Sequence, residues 1–186
     1  METTPTPEIL QKGLRKVLAA IEGSGFKATA IGGIARLSWG SKLPVLGVDL
    51  LVPTGEAQRA TIQGAARGEG CQTVSGAGPL SFRFSDAKLN ASTPIEILEA
   101  TTPFHKQVLE RAKPRVFLQM QLNAASVEDL ILFCAASGTP ADKESMIELL
   151  RGYAGTMDAA YVKKEAQAAG SFDALKAAWA EAKARG

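Results

Sequence analysis

Apolar residues recur at Ile9, Leu10, Leu14, Val17, Leu18 and Ile21, the spacing of one helical face, and Gly23 and Gly25 stop the pattern. Phe26, Ala28 and Ala30 then alternate with Lys27 and Thr29, which predicts a half-buried strand. A short helix-compatible run, GIARLSWG, ends at Gly40. It is followed by PVLGVDLLVP, a Val- and Leu-rich segment between Pro44 and Pro53 that reads as a buried strand. A helix is expected over 56–67, and the Gly/Ser-rich stretch 68–79 reads as a loop with room for one short strand. LSFRFSD and TPIEILEA are strands by alternation and by apolar run, and PFHKQVLERA is helical. RVFLQMQLN places Val116, Leu118, Met120 and Leu122 along one side of a strand. From Ser126 onward helix formers dominate. Ser126, Thr139 and Asp158 suit N-caps, Pro140 a first turn, and Gly138, Gly155 and Gly170 helix ends.

This order predicts an α+β protein. A mixed sheet flanked by helices occupies residues 1–123, and a C-terminal helical region, 124–186, packs on it. Charge adds an exclusion, because a net +2 from 21 basic and 19 acidic residues gives no general attraction to nucleic acid. No stretch approaches the apolar length of a membrane span, and no basic-then-apolar leader opens the chain, so a cytoplasmic protein is expected. Cys71 and Cys134 form no CxxC pair and are read as free thiols of a reducing compartment. The alternating charges of the Ala-rich tail read as a solvated helical face.

The segment 32–52, GGIARLSWGSKLPVLGVDLLV, resembles the nucleotidyltransferase superfamily, in particular small bacterial members related to abortive-infection and toxin–antitoxin transferases. That pattern has a glycine pair opening a short helix, then a glycine, an arginine and a threonine, and a strand bearing Asp-x-Asp. Gly32, Gly33, Ala35 and Gly40 fall in register with it, and Asp49 falls on its second acid. IEIL resembles the neighbouring strand that carries a third carboxylate, here Glu96. SVEDLILFCAASGTPADKESMIELL resembles the helical signature of the same superfamily, and DAAYVKKEAQAAG the helix after it. The polar positions depart from the pattern. Leu43 and Val45 stand for the arginine and threonine, and Gly47 for the first aspartate. Cys134 and Thr139 replace a lysine and an arginine, while Asp142 is kept.

Nucleotidyl transfer joins a hydroxyl to an α-phosphate with loss of pyrophosphate, and two Mg²⁺ ions are its usual stabiliser. Acids two apart on a strand face the same metal site, so Gly47 removes half of the pair. The catalytic and metal-binding candidates implied by the resemblance are Asp49 and Glu96, holding a weak Mg²⁺ between them if activity or nucleotide binding persists. Asp86 is a possible borrowed acid. Gly32, Gly33, Arg36 and Lys42 are the nucleotide-binding candidates, with the glycine amides cradling phosphates, and Arg83 is a further phosphate contact.

Plainer readings stand beside these. Asp49 is equally a strand acid paired with an amide or an arginine, Glu96 is first a solvent-facing or ion-paired residue, and the glycine pair can serve only to make a tight turn. His105 reads as an incidental surface histidine and Cys134 as a small buried hydrophobe. Trp39 and Trp179 read as core or interface anchors. The leading expectation is a transferase-like protein, catalytically impaired, that binds a nucleoside triphosphate or a protein. The alternatives are an active Mg²⁺-dependent transferase using Asp49 and Glu96, and a non-enzymatic toxin–antitoxin or homodimer component.

Overall fold

A computed structural model of the chain describes residues 4–76 and 78–185. They form two compact units. One comprises the chain up to Ser38 together with Pro44–Ala125, and the other comprises Trp39–Leu43 and the chain from Ser126 on.

The first unit opens with α1 (Pro7–Gly23), begun by Pro7 in its first turn. β1 (Thr29–Ile31), α2 (Gly32–Ser38), β2 (Val48–Val52) and α3 (Glu56–Gly68) follow. Then come β3 (Gln72–Val74), β4 (Leu80–Asp86), β5 (Ala91–Glu99), α4 (Pro103–Arg111), β6 (Lys113–Phe117) and β7 (Met120–Ala124). The strands make one mixed sheet of order β3-β4-β5-β2-β1-β7-β6. β2 runs parallel to β5 and antiparallel to β1, and β1 runs parallel to β7.

One face of β4 and β5 presents Phe82, Phe84, Ile95 and Ile97 to the predicted apolar stripe of α1, whose Ile9, Leu14, Val17 and Ile21 are fully buried. Each such aliphatic side chain contributes about 1.5–3 kcal/mol on burial. The approach of α1 is close: a Cβ on Gly13 would lie 2.7 Å from the Thr93 methyl. Alternate residues of the same strands, Ser81, Arg83, Ser85, Pro94 and Glu96, lie on the other face and keep part or all of their exposure.

Two strand expectations are corrected. The 26–30 segment is not a half-buried strand. β1 begins only at Thr29, and its three residues are all buried because it is an inner strand flanked on both sides. The alternating run at 116–122 is not one strand but the end of β6, a two-residue turn and the start of β7, with Phe117 opposite Met120. Leu118 and Gln119 make that turn at φ 45 and 66 degrees, the conformation of a type I′ hairpin. Neither residue is a usual turn former, so the composition carries no turn signal.

The second unit contains α5 (Val127–Ser137), α6 (Pro140–Tyr153), α7 (Ala159–Ala168) and α8 (Phe172–Ala184). Its predicted caps are present: the side chains of Ser126, Thr139 and Asp158 accept from the amides of Asp129, Asp142 and Tyr161. Gly138 and Gly170 adopt positive φ at the ends of α5 and α7. Buried Asp129 is held by the Tyr161 and Ser126 hydroxyls, each at 2.7 Å. The short segment Trp39–Leu43 belongs here. Glu148 accepts the Lys42 amide at 2.9 Å, the Tyr153 hydroxyl donates to the Trp39 carbonyl, and the two rings meet edge to face with centroids 5.8 Å apart.

Candidate functional site

At the end of β1 the chain turns into α2 through Gly32, whose φ of 55 degrees a residue with a side chain rarely adopts. The space a side chain would fill there is occupied by an acid: a Cβ on Gly32 would lie 2.2 Å from Asp49 Oδ2. Asp49 is placed by its pairing with Ile31 across the β1–β2 ladder, so the carboxylate lies against the backbone of the strand-to-helix turn. Gly33 is packed from the other side, where a Cβ would come within 2.9 Å of a Val45 methyl, and Val45 itself is buried. The glycine pair is thus wedged between a carboxylate and an isopropyl group.

Asp49 also pairs with Glu96 across the parallel β2–β5 ladder, and Glu96 pairs with Ser81 across β4–β5. Paired residues on neighbouring strands about 4.8 Å apart project to the same side, so Asp49 and Glu96 share one face of the sheet. Asp49 is half-buried and Glu96 exposed. The structure therefore brings these two predicted residues to one place, with Gly32 at the same spot.

Gly47 lies two residues before Asp49, where a second acid would share its face. A Cβ there would meet the Pro94 carbonyl oxygen at 2.9 Å and its ring Cγ at 3.0 Å. Both contacts are tighter than side chains tolerate without a shift. Pro94 was not singled out in the sequence, although a proline inside a strand cannot donate to a ladder, and the β2–β5 ladder begins only at Ile95.

Of the remaining candidates, Arg83 shares the sheet face of Glu96, two residues along β4 from its partner Ser81, and donates to the Ser92 hydroxyl at 3.2 Å. Arg36 is a half-buried residue in the last turn of α2, and Lys42 belongs to the helical unit. Asp86 is at the far end of β4, five residues from the partner of Glu96, or about 16 Å along an extended strand. There it pairs with Lys12 at 2.9 Å and accepts the amides of Lys88 and Leu89, contacts that hold its carboxyl below the usual range, the Lys12 bond foremost. Asp86 is therefore placed away from Asp49 and Glu96 and engaged with Lys12. His105 is not an ordinary surface residue either: it is half-buried on α4, and loss of solvent pushes its pKa below 6.5, partly offset by a bond to the Glu99 backbone.

Both cysteines are buried and neither is in a disulfide, and burial foremost pushes the Cys71 thiol up. Trp39 meets Tyr153 edge to face within its own unit, while Trp179 is half-exposed on α8.

Among the described residues, no group of three or more His, Cys, Asp or Glu side chains is arranged to hold a metal ion. Two carboxylates on adjacent strands suit at most one weakly held Mg²⁺, completed by water and substrate oxygens. The donor set does not fit a two-metal centre. No described helix is long and apolar enough to cross a membrane.

No protein-family model matches the chain, and no curated protein sequence matches it significantly. Solved structures do. The crystal structure of ANT(2'')-Ia in complex with adenylyl-2''-tobramycin aligns over 87% of this chain and 97% of that one, at 17% identity and a TM-score of 0.59. The antibiotic-resistance factor ANT(2'')-Ia in solution aligns over 94% and 92%, at 15% identity and a TM-score of 0.55. An antigenic nucleotidyltransferase-like protein from Paracoccidioides brasiliensis aligns over 91% and 95%, at 13% identity and a TM-score of 0.56. At these identities the likeness is one of fold.

Proposed function

We propose that this chain, which carries the nucleotidyltransferase fold, is a catalytically impaired member of that fold serving as a nucleotide- or protein-binding module. The observation that supports this most is the contact between Gly47 and Pro94. The position of the first acid lacks a carboxylate, and the room that a side chain would need is taken by the neighbouring strand's backbone. Asp49 is left with one same-face carboxylate, Glu96, which is exposed and on another strand. Stabilising an α-phosphoryl transition state needs charge held on both the attacking and leaving sides, and one weakly bound cation supplies it poorly. In this reading the backbone amides of Gly32 and Gly33 are the phosphate donors of the turn.

The test is transfer of labelled nucleoside monophosphate to protein, tRNA and aminoglycoside acceptors with Mg²⁺ present. Background incorporation is expected for the wild type and for Gly47→Asp. Robust incorporation that disappears in Asp49→Asn would overturn the proposal. Thermal shift with each nucleoside triphosphate then separates the binding roles. A ligand at a hundredfold over its Kd adds about 2.7 kcal/mol, and silence with all four leaves a protein partner or a second copy as the binding role.

The pairing of Asp49 with Glu96 favours a second reading, an active transferase in which these two acids hold one Mg²⁺. In that case Glu96→Gln abolishes turnover with Tm nearly unchanged, because Glu96 is exposed.

A further inference from the structure

The helical unit has an apolar groove of about 460 Å³ between α7 and α8. Its floor is Phe172, Leu175 and Trp179, and its rim carries Lys163, Lys176 and Lys183. These α8 residues, with Ala180, recur every three or four positions from 172 to 183, so they form one face about 16 Å long. Ala159 and Ala180 line it with nothing larger than a methyl group, which lets another backbone come close.

Lys176 is already engaged, 2.7 Å from Asp173 Oδ1 and with its Nζ 5.2 Å from the centre of the Phe172 ring. Lys163 and Lys183 make no ion pair among the described residues. An apolar face of three turns edged by uncompensated lysines is complementary to a helix with apolar anchors at i, i+4 and i+7 and carboxylates along its margins.

We propose that the α7–α8 groove docks an acidic amphipathic helix of a partner protein. Nucleic acid is a poorer occupant, because the face is apolar through Phe172, Leu175 and Trp179 and offers phosphates only two lysines outside an ion pair. The proposal rests on the helical unit alone and is independent of what becomes of Asp49.

The experiment is selection of helical peptides of about four turns from a displayed random library, using the full chain as bait. Affinities are then measured by fluorescence anisotropy at low and high salt. Enriched peptides are expected to carry Leu, Phe or Trp on one face flanked by Asp and Glu, with micromolar Kd. Binding should weaken at least tenfold in Trp179→Ala and in the Lys163→Glu/Lys183→Glu double variant, and several-fold at 0.5 M salt. The two lysines are exposed, so the double variant keeps its fold even if Trp179→Ala does not. Three results overturn the proposal: no enriched family, enriched peptides that are basic or indifferent to the lysine changes, or single-stranded oligonucleotides bound through the same lysines. Self-association that the double variant abolishes also overturns it, by making a second copy the occupant.

Discussion

At the residue scale, the constraint that bears most directly on the acid pair is Gly47. Adding one methyl group, Gly47→Ala, forces it to within 2.9 Å of the Pro94 carbonyl and costs about 1–3 kcal/mol, read as a lowered urea midpoint with unchanged slope. Pro94→Ala relieves the ring contact but not the carbonyl contact, so the double variant recovers only part of that loss. His105, the sole histidine, offers a second residue-level test. Its folded pKa is below its unfolded 6.5, so the unfolded chain binds the extra proton first. Stability is then full above about pH 7 and declines as pH falls through 6.5 toward the depressed value. The single imidazole resonance in an NMR titration should show a midpoint below 6.5, and His105→Gln should flatten the decline. The register of residues 32–52 was enough to nominate Asp49 and to note the missing acid. What it could not contain is Pro94, which comes from a strand more than forty residues on and acts by proximity alone.

At the scale of elements, caps and amphipathic faces were legible because their causes are local. Ser126, Thr139 and Asp158 each sit beside the amides they accept, and the stripe of α1 needs only its own spacing. The β6–β7 hairpin was not, since alternation runs across its turn without interruption. Val116 and Leu118 look apolar enough for a core yet are 61% and 38% exposed. Leu118 and Gln119 hold positive φ without the residues that do so cheaply, at about 1 kcal/mol or more each. Replacing them by Asn-Gly, Leu118→Asn with Gln119→Gly, should stabilise the chain by about 1–2 kcal/mol, a Tm rise of a few degrees by calorimetry. The bond from the Gln11 side chain to the carbonyl of residue 118 uses backbone only on that side and survives the change. The shift of β1 has a related cause: Phe26 and Lys27 fit strand alternation, but the ladders to β2 and β7 begin only at Thr29.

At the scale of the whole molecule, charge sets the response to acid. Asp86 is held low chiefly by Lys12, Glu144 by Arg185, Glu181 by Lys143 and then Arg185, and Asp173 by Lys176. Each has a folded pKa below its unfolded one, so its contribution is present above the ordinary carboxylate range and is lost as pH falls through the depressed values. Urea midpoints should therefore drop below about pH 4.5. The drop should shrink in Arg185→Gln and at 1 M salt, because these carboxylates are exposed to solvent. The fold itself was readable from the order of strands and helices, and solved structures of the same fold agree with it. The nearness of Asp49 and Glu96 was legible only through the resemblance, because β2 and β5 are separated in sequence by α3, β3 and β4, and the packing of Asp49 against Gly32 was not legible at all. Gly47 and Pro94 also bear on how such a chain can change over generations. With Pro94 in place, an acid at position 47 is a destabilising change with no immediate return, and removing Pro94 alone restores no carboxylate. Because the carbonyl of residue 94 stays in place whatever side chain stands there, an acid pair at 47 and 49 requires a shift of the β5 backbone as well as the substitution, and neither step alone is rewarded.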